Sequence, residues 1–462
     1  MSAVAVARSS LATSLARYGR SWGLWILLLI APIGARFWVP RGDGSTIMIT
    51  IQGVMPAMNS AVIGVSLGVV VSTLLLPVAY AYLRASTTRR QPWQVEEVTA
   101  GSRVAIALGR FGADVTLLFA VLAALSAAGL FLSWLMLPPG TVRPLATLFA
   151  LWAIAAPALM GLAAIRILWD ALPLLRGPLG DLAFFVLWMF ALASPIATAD
   201  ATPGYWQNMA DYGGFVRPLI HGTGEKDPDF AIGFTKGSPK TMPIDVEAGL
   251  TAPGYLASRA SWMAIAIAVA VVAGLVYRPH RVRRRAGLGA RLHKLLAPGT
   301  PPAANPAALP APTGRLPALG LVIGEASLIG AGRPFLLIAS AIVAAGLLLP
   351  FDAVHPAALL LLVFALTAHA GRAEAKGMRP LALTAALGPW QRRAAFVTAG
   401  TGWAAALTLP AALRAGDVTA LGTATATGAV AATVAATLAA VSGSAFAPRL
   451  FLLILWYGYV SR

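Results

Sequence analysis

The sequence predicts an all-α fold: a polytopic membrane bundle of about 11 (10–12) transmembrane helices in two similar halves. Three observations predict it. Hydrophobic residues make up 58% of the 462-residue chain and charged residues only 11%, whereas a soluble domain carries roughly 25% charged residues. Apolar runs of about twenty residues, each enough to cross a ~30 Å hydrocarbon core as a helix, recur from end to end. Segments rich in Lys and Arg punctuate them, the loop signature of a multi-pass protein. A soluble globular protein is excluded.

The formal charge of +18 belongs to that topology rather than to a nucleic-acid partner, because positive residues accumulate in loops that stay in the cytoplasm. The chain has no cysteine, which excludes disulfides, thiolate metal sites and a cysteine nucleophile.

From the N-terminus, Arg8, Arg17 and Arg20 precede the apolar run Trp22 to Ala35 in the manner of a secretory signal. With so many spans following, an uncleaved signal anchor is expected. Apolar windows then place spans near residues 21–38, 57–82, 111–137, 143–165, 181–198, 260–277, 334–350, 355–370, 394–413, 417–441 and 447–460. With a cytoplasmic N-terminus and alternating sides, 25 of the 35 Lys and Arg fall on the inner face, as the positive-inside tendency requires.

Two loops are long. Residues 199–259 form an outer segment of mixed charge with Gly, Pro and aromatic punctuation, expected to fold as a small cap. Residues 278–318 face inward, beginning with a run of arginines and continuing Ala/Pro-rich, and read as an extended linker. The chain therefore divides into a first membrane unit of six spans over 1–277, the linker, and a second unit of about five spans over 319–462. Each half runs through two spans, a basic cytoplasmic segment and three further spans. Ala107-Leu108-Gly109-Arg110 ahead of the third span echoes Ala386-Leu387-Gly388-Pro389 ahead of the ninth, and Trp188 and Trp456 both sit late in aromatic-rich spans. A same-orientation repeat is a common transporter construction.

No G-x-x-x-x-G-K-[ST] phosphate loop is present, so any ATP must be handled by another chain. The five histidines are scattered without an i, i+4 pair; they read as solvated or interfacial, and no catalytic or metal-ligating residue is expected. Asp114 follows Arg110 by one turn, the spacing of a simple ion pair near the interface, while Asp181, Glu325, Asp352 and Asp417 fall at span ends. Without a charge at a span centre, proton-driven transport is disfavoured. Gly64 and Gly68 form a G-x-x-x-G pair in the second span, a pattern that lets helix backbones approach closely.

The cytoplasmic stretch from Arg89 to Arg110 combines helix formers with amphipathic spacing: Trp93, Val95 and Val98 can face an apolar groove, and Glu96, Glu97 and Arg103 can pair with charges. On composition alone it reads equally well as a helix lying on lipid headgroups. The order of two spans, a Glu-Glu segment followed by Ser102-Arg103, then Leu108-Gly109-Arg110 and a small-residue span, resembles the membrane subunits of type-2 ABC exporters. That resemblance implies that Glu96, Glu97, Ser102 and Arg103 form a coupling helix docking on a separately encoded ABC-type ATPase, with Arg110 leading into the third span. It implies an equivalent segment in the second half, from Glu374 and Arg379 to Gly388. It further implies a permease without its own ATPase site in a bacterial cytoplasmic (inner) membrane, with no directly bound cofactor, ATP and Mg used by the partner, and membrane lipids and a second copy of the chain as further partners. A usual member of that family has six spans and dimerises, so a chain holding nearly two units departs from the pattern.

Two rival readings come from other classes. One is a membrane-embedded lipid-modifying enzyme using the outer acidic cluster Glu225, Asp227 and Asp229, although Gly224 to Asp229 looks more like a solvated turn. The other is a non-transporting membrane assembly factor.

Overall fold

In the computed structural model, the residues described are 2–38, 47–51, 54–85, 101–172, 175, 178–197, 204–224, 230–235, 241–277, 317–371, 388–416, 418–442 and 446–460. Helices dominate, and the chain separates into two units, Met1–Val282 and Arg283–Arg462. Each of the eleven apolar windows falls on a helix. Seven of those helices are long and apolar enough to cross a membrane, and a pair bent by 91°, Ala318–Ile329 with Arg333–Leu348, makes an eighth if counted as one span. The other three are shorter apolar helices, two of them carrying an internal proline, Pro32 and Pro195. The chain is a multi-pass helical membrane protein, and among the described residues length and composition alone qualify seven or eight of these helices as crossings.

The first unit begins with α1 (Ala3–Gly19), capped by the Ser2 side chain, and turns at Arg20-Ser21 into the apolar α2 (Trp22–Trp38). Ser10, Ser14 and Tyr18, one turn apart, form the buried face of α1. Its neighbour is α5 (Arg103–Met136), after α3 (Ser60–Val70) and α4 (Leu76–Ala85), which run as one span broken by a π turn at Val71–Leu75. α6 (Pro144–Ala171) and α7 (Pro178–Ala197) follow. The α3–α4 span is the core of this unit, 94% buried along its apolar window. Such a helix is apolar on every face because protein surrounds it on every face.

Outside the spans the chain builds a cap. Strand β1 (Ile47–Ile51) pairs antiparallel with β3 (Phe230–Thr235), and β2 (Met55–Pro56) pairs parallel with β4 (Thr241–Met242). The short helices α8 (Tyr205–Ala210) and α9 (Val216–Thr223) precede β3, and α10 (Val246–Leu250) follows β4. Ile51, Phe215, Leu219 and Val246 of the cap share one buried cluster with Val62, Val65 and Val69 of α3. The cap is thus continuous with the central span, and it recruits the short loop before that span as well as the long outer loop. α11 (Tyr255–Val276) closes the unit.

The second unit comprises α12 (Pro317–Ile329), α13 (Arg333–Leu348), α14 (Phe351–His369), α15 (Pro389–Ala415), α16 (Val418–Ser442) and α17 (Phe446–Val460). α16 is built largely from Ala, Gly and Thr, and its buried face of Ala420, Ala424, Gly428, Ala431, Ala435 and Ala439 allows close approach to α15, where Gly428 lies against Ala404.

Candidate functional site

Arg84 ends the second span, Asp114 lies early in the third, Arg166 and Asp170 end the fourth, and Asp181 begins the fifth. Alternate crossing of the membrane brings all five to one end of the bundle. There Arg84 Nε sits 2.6 Å from Asp181 Oδ1 and its Nη1 3.5 Å from Asp170 Oδ1. Arg166 reaches Asp114 Oδ2 at 2.9 Å through Nη1 and Asp170 Oδ2 at 3.3 Å through Nε. Asp170 therefore bridges the two guanidinium groups.

Hydroxyls and carbonyls add to this network. Tyr18 of α1 donates to Asp114 Oδ1, and Tyr80 donates at 3.1 Å to Asp181 Oδ1 while its ring stacks on Phe184. Arg84 Nη2 donates to the Leu175 carbonyl at 3.2 Å. None of the five charged residues is more than 7% exposed. Burying ions is costly unless each is paired and hydrogen-bonded, so a cluster of this kind fixes one arrangement of the helices that carry it. Asp114 was expected to pair with Arg110; its carboxylate instead meets Arg166 and Tyr18, because the third and fourth spans pack face to face and α1 covers the junction. Arg110 is itself buried, at 4% exposure.

The residues singled out in the sequence are placed as follows. Glu96, Glu97, Glu374 and Arg379 lie outside the described residues, as do Glu225, Asp227 and Asp229. Ser102 is the N-cap of α5, its hydroxyl accepting from the Ala105 amide, and Arg103 Nη1 donates to the Tyr277 carbonyl at 3.1 Å. Gly64 faces α6, where a Cβ would meet the Thr147 carbonyl oxygen at 2.5 Å and Ala150 Cβ at 2.6 Å, and Gly68 faces Ile154 one turn further on. Gly109 lies against the backbone of α1 at Ala7 and against Ser10.

A second polar node ties the cap to α11. Asp211 accepts from the Gly214 amide at 2.8 Å and the Arg217 amide at 2.9 Å, and Tyr255 donates to the Gly214 carbonyl at 2.6 Å. Arg259 donates to the carbonyls of Asn208 and Tyr212 and lies over the Tyr255 ring, 5.3 Å from its centroid. Complete burial pushes the Asp211 carboxyl above the usual carboxylate range, against the opposing pull of Arg259 and the two amides. Burial, reinforced by Arg217, holds His221 below the usual imidazole range.

In the second unit His355 corrects the expectation of a solvated or interfacial histidine. It is 1% exposed, with Nδ1 2.8 Å from Tyr459 Oη and Nε2 3.0 Å from Thr427 Oγ1. The Thr427 hydroxyl also lies 2.8 Å from the Thr423 carbonyl, to which it donates its only proton. With the Thr427 proton on the Thr423 carbonyl, the tautomer that fits carries its hydrogen at Nε2 and accepts from Tyr459 at Nδ1.

Among the described residues no group of three or more His, Asp or Glu side chains is arranged to hold a metal ion. Comparison with protein-family models, characterised proteins and solved structures finds no match to this chain. Sequence reasoning missed the five-charge network and the Asp211–Arg259 node. The signal for the first was present: opposite charges at the same-side ends of four successive spans, which alternate crossing must bring together.

Proposed function

We propose that this chain is the membrane-spanning permease subunit of an ATP-driven exporter in a bacterial cytoplasmic membrane, energised by a separate ABC-type ATPase that uses ATP and Mg. The single observation that carries the reading is how the segment between α4 and α5 is anchored. On its N-terminal side stands Arg84, which Asp181 and Asp170 hold, and on its C-terminal side Arg103, which is tied to the Tyr277 carbonyl. A force applied to Glu96 and Glu97 reaches two fixed helix ends, each tied to other spans, rather than frayed termini. Such an attachment suits a subunit moved by a soluble motor, because differential binding of the motor to two states of the bundle can do work only through a stiff joint.

The test is charge reversal at Glu96, Glu97 and Arg103 in the full chain, followed by co-purification with an ATPase encoded beside it. Loss of the ATPase with the chain still folded is expected. Unchanged co-purification and transport, or nucleotide hydrolysis by the isolated chain, overturns the proposal.

A further inference from the structure

In the first unit, Trp188 Nε1 of the fifth span donates to the Ser72 carbonyl of the second span at 2.8 Å. Seven residues before Trp188, Asp181 of the same helix holds Arg84 of the second span. In the second unit, Trp456 Nε1 of α17 donates to the Pro356 carbonyl of α14, also at 2.8 Å. Seven residues before Trp456 stands Arg449, whose Nε donates to Thr367 Oγ1 of α14 at 3.0 Å. Each unit thus carries two polar ties between its second and fifth apolar segments, in the same order, with the same spacing on the fifth.

The spacing on the second segment differs by one residue. Ser72 to Arg84 is twelve positions and Pro356 to Thr367 is eleven. That difference coincides with the π turn at Val71–Leu75, where the Leu76 amide donates to Val71, five residues back. A π turn is how a helix absorbs one extra residue without changing the phase of what lies on either side. α14 carries no π turn between its two ties. Pro77 explains which carbonyl Trp188 serves: in the π register Ser72 would accept from residue 77, which as proline has no amide hydrogen, and the indole supplies the missing donor.

We propose that the two ties form one clamp present in both units as diverged copies of a single ancestral unit, and that the π turn is a one-residue insertion in the first copy. The side chains at the second tie have changed, from an Arg–Asp pair to a Thr–Arg pair, while the positions have stayed. This inference does not depend on the exporter reading.

The experiment is a deletion of Thr73 in the full chain. With one residue gone, Ser72 becomes the carbonyl four residues before Pro77, so it still lacks a backbone donor and still suits Trp188, and the spacing to Arg84 becomes that of the second unit. The variant is expected to purify as folded, monodisperse protein, and Asp181→Asn is expected to lower thermal stability in it and in the parent alike. Deleting Ala155 in α6, where no π turn can take up the change, is expected to cost several-fold in folded protein. As a second arm, one Ala inserted between Leu360 and Leu361 of α14 is expected to be absorbed as a new π turn. If the Thr73 deletion fails like the Ala155 deletion and the α14 insertion also fails to fold, or if the folded Thr73 deletion no longer responds to Asp181→Asn, the proposal is overturned.

Discussion

Arg166 and Asp114 face each other at 2.9 Å, with side chains only 3% and 1% exposed. Truncating one partner of a buried pair leaves the other charge without compensation, at a cost of about 3–5 kcal/mol. Asp114→Ala is expected to show a strongly lowered melting temperature in detergent. Tyr18→Phe removes only a hydrogen bond to the same carboxylate and is expected to cost about 1.5–3 kcal/mol. Equal stability of both variants and the parent would contradict the packing described.

Asp211 satisfies two cap amides at once. Asp211→Ala orphans both, each at about 1–3 kcal/mol. The cap between residues 204 and 250 is expected to become protease-sensitive while the spans stay protected, measured by limited proteolysis and mass spectrometry.

His221 sets a pH dependence of the cap. Its folded state favours the neutral ring, so the contribution to stability is complete above the ordinary imidazole value of 6.5. It is lost as pH falls from there through the lowered folded-state value, because the unfolded chain takes up the proton first. Proteolysis of the cap is expected to accelerate on acidification through that window in the parent and to stay flatter in His221→Gln.

Gly64→Val places side-chain atoms against the Thr147 carbonyl, part of a helix backbone that cannot yield locally. Overpacking of this kind costs about 1–3 kcal/mol. The same change at Gly422, which has nothing within 4 Å of its Cβ position, is expected to be close to neutral in the same thermal assay.

The helices were legible because a twenty-residue apolar run has one way to satisfy its backbone in lipid. What escaped was everything that depends on which helices are neighbours. Asp114 looked like a partner of Arg110 because helical spacing is visible in one dimension, whereas Arg166 is more than fifty positions away. The strand Ile47–Ile51 had its own signal, an Ile-Met-Ile-Thr-Ile run, but its partner Phe230–Thr235 lies far along the chain, where nothing local announces the pairing. His355 was misjudged for the same reason: Tyr459 and Thr427 reach it from other helices. The segment with Glu96 and Glu97 lies outside the described residues.

Arg103 to Met136 is a single uninterrupted α-helix of 34 residues, about 50 Å long at ~1.5 Å per residue and so some 20 Å more than a bilayer interior requires. The helix extends beyond that interior, and near its start it stays packed against α1 at Gly109. A displacement of its Ser102 end would therefore be carried along one rod to the Leu137 end, with no break between to absorb it.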